Sequence, residues 1–275
     1  MKKLILFILM MWISFNSTSQ LYLINKTYCF ITPNTYLVVN GNLNNESDCK
    51  LDNAIIIVQN DITNNGTLTM VGNSTLKCGR HWNNTNGTFN AGNGTVVFDS
   101  NDGTINTGGN GANKNFYNVE CNAAGQTKTQ NGAIDCDNNF TITAGTWSTG
   151  GYSMNIAGNW TNNGTFTHGN NLVTLDGLNQ TIGGTVATTF YNLTTNNTST
   201  TLNINTTVKN VLTLTNGFIE LNQKILIIDN SSPTAITRTN GYINSSTLDK
   251  NYNSKVQWNM GTSATGEYIY PFGIS

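Results

Sequence analysis

Apolar and polar residues alternate along this chain in short runs, as in Val96/Phe98, Met154/Ile156, Val173/Leu175 and Leu212/Leu214. A period of two puts one face of a strand against a core and the other in water. Glycines punctuate the runs. Gly66, Gly87, Gly103, Gly132, Gly145, Gly164, Gly184, Gly217 and Gly241 recur at a mean step of about 22 residues. The pattern predicts many short strands and no helix of any length.

The runs belong to a longer self-similarity. Trp82-Asn-Asn-Thr-Asn-Gly-Thr-Phe89 is followed by Val96, Phe98, Asp99, Ile105 and Phe116-Tyr-Asn-Val119. About 77 residues on, Trp160-Thr-Asn-Asn-Gly-Thr-Phe166 is followed by Val173, Leu175, Asp176, Ile182 and Phe190-Tyr-Asn-Leu193. A second register, offset by about 72, maps Phe140 onto Leu212, Trp147 onto Ile219 and Met154 onto Leu226. Two registers over this much chain mark a repeat protein.

Two architectures accommodate such strands. One is an all-β, right-handed parallel β-helix, a β-solenoid with coils of about 22 residues. The alternative is a tandem pair of antiparallel β-sandwiches, which the recurring Asn-Gly favours as a hairpin signal. The repeat step and the recurrence of Asn and Thr at matching positions favour the solenoid. Stacked amides and hydroxyls bond to their neighbours above and below, as stacked charges would not. Seven apolar positions are expected inward: Val96, Phe98, Val173, Leu175, Ile182, Leu212 and Leu214.

The run Gly158-Asn-Trp160-Thr-Asn-Asn-Gly-Thr-Phe166, with Val173-Thr-Leu175-Asp-Gly177, Gln180-Thr-Ile182-Gly-Gly and Phe190-Tyr-Asn-Leu193, resembles the repeats of large secreted surface proteins of Bacteroidota. Tyr268-Ile-Tyr-Pro-Phe-Gly273 resembles the segment that follows such repeats. The resemblance spans residues 60–273. It implies an adhesin-like β-helical surface protein, exported in many members by type IX secretion and followed by a C-terminal sorting domain.

Composition sharpens the fold. The chain has 275 residues, of which 48 are Asn, 42 Thr and 27 Gly, and only 10% are charged. Such a composition disfavours a helical bundle or a doubly wound enzyme. The 13 basic and 14 acidic side chains leave no basic patch for nucleic acid. Lys2 and Lys3, an apolar run to Phe15 and the small residues Ser17-Thr18-Ser19 read as a signal peptide, cut before Gln20. The run is too short to span a bilayer, so no membrane span is expected after cleavage. The expected organisation is a signal peptide at 1–19, an entry or capping segment at 20–58, solenoid repeats at 59–258, and at 259–275 the start of a further segment in a truncated chain.

Export permits disulfides. Among Cys29, Cys49, Cys78, Cys121 and Cys136, the short-range pairs are Cys29–Cys49 and Cys121–Cys136, with buried free thiols as the alternative. Asp135 and Asp137 lie two apart, so on a strand both face one way, and Asn139 would join them. They are the candidates for carbohydrate-active acid/base chemistry. With Asp99 and Asp102 they are also the oxygen ligands a calcium ion would use. A solvated coil edge is the other reading, and Asp99 and Asp176 are expected to cap matching turns. Trp82 and Trp160 are repeat-equivalent and are candidates either for the core or for a platform on which glycan rings stack. Replacement of Trp147 by Ile219 in the second register favours the core. His81 and His168 form no ligand pair. No cofactor is expected. The overall expectation is a secreted or outer-surface, non-catalytic spacer or adhesin with glycans or a neighbouring cell surface as partner. The alternative is a carbohydrate-active β-helix enzyme or glycan-binding module.

Overall fold

A computed structural model describes residues 23–245, 253–262 and 265–273. The signal peptide expected at 1–19 lies outside the described residues. The described chain is all-β: parallel strands stack as a β-solenoid of about 11 turns, with coils of roughly 20 residues. Every strand pairing in it is parallel, which removes the antiparallel sandwiches.

Each early coil has three strands on three faces. Leu23–Asn25 opens the first face, Tyr28–Ile31 the second and Tyr36–Val39 the third. One coil on, Leu43 lies in register with Leu23, Asp48 with Tyr28 and Ile55 with Tyr36. The solenoid therefore already runs through residues 23–58, where an entry segment was expected. At the other end Phe272 bridges in parallel to Ile243, so this residue extends the stack beyond 258.

Alternation sets what faces in. Val96, Phe98, Val173, Leu175, Ile182, Leu212 and Leu214 are all buried, as the pattern predicts. Burying each such side chain stabilises the fold by roughly 1.5–3 kcal/mol. Aromatic rings form a continuous column inside: Trp82 packs on Phe116, Phe116 on Phe98, Phe98 on Trp147, Trp147 on Phe140, Phe140 on Trp160 and Trp160 on Phe190. Centroid separations along it run from 4.9 Å at Phe140–Trp160 to 5.8 Å at Phe98–Phe116, the range in which aromatic pairs attract.

Outward positions carry Thr and Asn. One line runs Asp135, Asn155, Thr174, Thr194, Thr213, Thr237, each in register with the next. The first two coils differ, exposing Tyr36, Val38 and Ile55 on their outer face. Asparagine also builds an interior ladder. Asn25 donates to Asn45, Asn45 to Asn64 and Asn64 to Asn84, each amide bond 2.7 Å long. Each of these amides also donates to a backbone carbonyl at the neighbouring corner, of Asp48, Thr67 and Thr88 respectively. The four side chains are buried, so the ladder satisfies groups that would otherwise be costly to bury.

Asn-Gly marks corners rather than hairpins. At Asn65-Gly66 both amides donate to the Asn45 carbonyl of the coil behind, and a Cβ on Gly66 would overlap the Ser47 carbonyl. Gly217 has φ 68°, a left-handed conformation that side chains resist. Both hairpins and parallel corners require such residues, so the dipeptide does not distinguish them.

The sequence repeat does not coincide with a whole number of coils. Trp82 pairs with Ile62 and Ile105 on the first face. Its equivalent, Trp160, lies on the line Val96–Val119–Phe140–Trp160 of the third face. Phe89 lies on the second face, yet its equivalent Phe166 pairs with Trp147 on the line that contains Lys128 and Gly103 of the first. Equivalent motifs are thus displaced by one face.

Candidate functional site

The acidic strip lies where the strand Ile134–Cys136 meets a corner. Ile134 and Cys136 are buried and Asp135 faces out. The strand ends before Asp137, whose carboxylate accepts a hydrogen bond of 3.0 Å from the Asn115 amide one coil back. Asn139 does not join the strip, because its side-chain oxygen accepts the Asn159 backbone N–H at 2.9 Å.

Sequence spacing missed a third member, Asp176. The register Cys136–Ile156–Leu175 carries Asp137, Ala157 and Asp176 into line at successive corners. Burial, reinforced by the charges of Asp137 and Asp176, pushes the Asp135 carboxyl up to about 6. Burial also raises Asp176. A carboxyl that keeps its proton toward neutral pH can donate it as a general acid. Among the described residues no group of three His, Cys, Asp or Glu side chains is arranged to hold a metal.

The other calcium candidates are engaged in holding corners. Asp102 accepts the Thr127 backbone N–H at 2.6 Å, and Asp99 accepts the Ser100 hydroxyl at 3.2 Å. The glycan-platform reading of the tryptophans is corrected. Trp82 is 1% exposed and Trp160 fully buried, with the Trp160 indole N–H bonded to Thr188 at 3.0 Å. The inward phase of their strands leaves no ring face for a sugar. His81 accepts the Thr104 N–H through Nδ1 at 3.0 Å, and His168 stacks on Tyr191 at 5.6 Å.

All five cysteines are free thiols. The expected Cys121–Cys136 pair is corrected, because the two lie on different strand lines. Cys121 pairs with Phe98 and Ile142, and Cys136 with Ile156. Cys29 and Cys49 are brought into register as neighbours. A buried cation also escaped notice. Lys128 is fully buried, and its ammonium donates to the Gly79 carbonyl at 2.9 Å. Its register partner is Gly103, where a Cβ would overlap the Arg80 carbonyl of the coil behind. Burial holds the Lys128 amine below its ordinary value.

With this geometry the chain defines itself as a parallel β-solenoid carrying an outward carboxylate strip. No protein-family model, curated protein sequence or solved structure matches it.

Proposed function

We propose that this chain is a secreted or outer-surface, non-catalytic repeat protein acting as a stiff spacer or adhesin-like module. One observation carries the reading. The outward line from Asn155 through Thr174, Thr194 and Thr213 to Thr237 stays neutral and hydrogen-bonding across successive coils. Such a surface is hydrated along its length and offers hydroxyls and amides to neutral glycans. The signal-like start Lys2-Lys3 and apolar run support export. The resemblance to Bacteroidota surface repeats supports the cell surface, with type IX secretion as the route. The test is an epitope-tagged chain in its host. The tag should be stained on intact cells and removed by externally added protease. Retention of the tag inside the cell overturns the reading.

A second reading is favoured by Asp135. Its carboxyl, at about 6 beside Asp137 and Asp176, suits a polysaccharide-acting enzyme with Asp135 as acid and Asp137 as base. Cleavage of a polysaccharide by the wild type, lost in the Asp135→Asn/Asp137→Asn double variant, would establish it in place of the spacer.

A further inference from the structure

Five thiols share this solenoid, and three of them are inert by position. Cys78, Cys121 and Cys136 are fully buried, and burial pushes them up to about 12, 11 and 12. Each of the three sulfurs donates to backbone carbonyls, Cys78 to His81 at 3.2 Å and Cys136 to Tyr117 at 3.3 Å. Cys49 is 2% exposed. Cys29 differs in being only partly buried.

Cys29 and Cys49 are partners in the parallel ladder between Tyr28–Ile31 and Asp48–Asp52. Both occupy the same inward phase as Ile31 and Leu51, so both sulfurs project from the same side of neighbouring strands. Adjacent strands lie ~4.8 Å apart, within the Cα range a disulfide spans. The Cys49 thiol, its register neighbour, lowers Cys29 to about 7. Cys29 and burial together raise Cys49. One sulfur is reachable and partly thiolate near neutral pH, and the other waits behind it with its proton.

We infer that Cys29 is a nucleophilic thiol site for small disulfides such as oxidised glutathione, with Cys49 as its resolving thiol, so that oxidation staples the first coil to the second. The Cys29 thiolate attacks one glutathione sulfur, breaks the S–S bond and releases one glutathione thiolate. Cys49 then passes its proton to a glutathione thiolate and attacks the Cys29 sulfur, expelling the second glutathione. Two protein thiols become one disulfide, and one glutathione disulfide becomes two thiols. Exchange of this kind is fastest when the attacking thiol titrates near ambient pH.

The sequence makes the product easy to read. Trypsin cuts after Lys26 and Lys50, and no Lys or Arg lies between them, so both sulfurs fall in the one peptide Thr27–Lys50. The folded, purified full chain is incubated with millimolar oxidised glutathione at pH 7.5, alkylated and digested. The expected result is a Thr27–Lys50 peptide lighter by two hydrogens and unalkylated, with Cys78, Cys121 and Cys136 modified only after denaturation. The Cys49→Ser variant should stop at Cys29 carrying one glutathione. The oxidised wild type should melt roughly 5 °C higher than the reduced form. A wild-type peptide in which both thiols remain free, or in which glutathione stays on Cys29, overturns the inference. So does equal modification of all five cysteines before denaturation. The wild-type reading needs no variant to fold.

Discussion

At the scale of single residues, the interior asparagines show how a polar chain builds a core. Asn64 donates to Asn84 and to the Thr88 carbonyl while accepting from Asn45. Asn64→Ala strands a donor on one side and an acceptor on the other, and should cost about 3 kcal/mol in urea unfolding. Asn65→Ala, one position on and exposed, should change stability by less than about 0.5 kcal/mol. Asp135 supplies a pH signature. Its carboxyl sits at about 6 when folded, against roughly 4 in an unfolded chain. The folded state holds that proton more tightly, so Asp135 contributes stability at low pH that is lost as pH rises from about 4 to 6. Asp135→Asn should remove this slope and raise stability at pH 7 by about 1 kcal/mol, the half-exposed site being screened by solvent. Melting midpoints taken between pH 4 and pH 8 measure both effects. Asp61 has the opposite sign. The Arg80 guanidinium, paired with it at 2.8 and 2.6 Å, holds its carboxyl below the usual range, so its contribution is lost as pH falls through that lowered value.

At the scale of strands and corners, the alternation rule carries most of the information. It identified the inward set from Val96 to Leu214 because burial in a parallel ladder repeats every second residue whatever the strand length. Leu175→Asp places an unpaired charge among Val173, Ile156 and their neighbours, and should unfold the adjoining coils, at a cost of more than about 3 kcal/mol. Thr174→Val, outward on the same strand, should change stability by less than about 0.5 kcal/mol. Loss of the cooperative urea transition in the first variant and its retention in the second check the phase assignment. Corners were less legible than strands. Asn-Gly signals a reversal of direction without saying whether the chain returns beside itself or climbs to the next coil. The same ambiguity concealed the acidic strip. Asp135 and Asp137 were visible as near neighbours, but Asp176 joins them only through two register steps that depend on coil length. The tryptophans show the converse error. An aromatic at a repeated position reads equally as core or platform until the inward phase of Trp82 and Trp160 is known.

At the scale of the whole molecule, about 11 turns at a strand spacing of ~4.8 Å give a rod of roughly 53 Å. X-ray scattering should show an elongated particle, and far-ultraviolet circular dichroism a strand spectrum without helical minima. A globular distance distribution would refute the stack. The displacement of Trp160 by one face relative to Trp82 has a historical consequence. A duplicated stretch of gene would be expected to add whole turns if each face had its own chemistry. Here the copy was accepted a third of a turn out of phase, with Phe166 taking a place on the face that Trp82 occupies. The same strand-and-corner segment therefore fits more than one wall of the rod. A lineage built this way can lengthen or shorten in steps far finer than a coil, so the reach of such a rod is open to gradual adjustment.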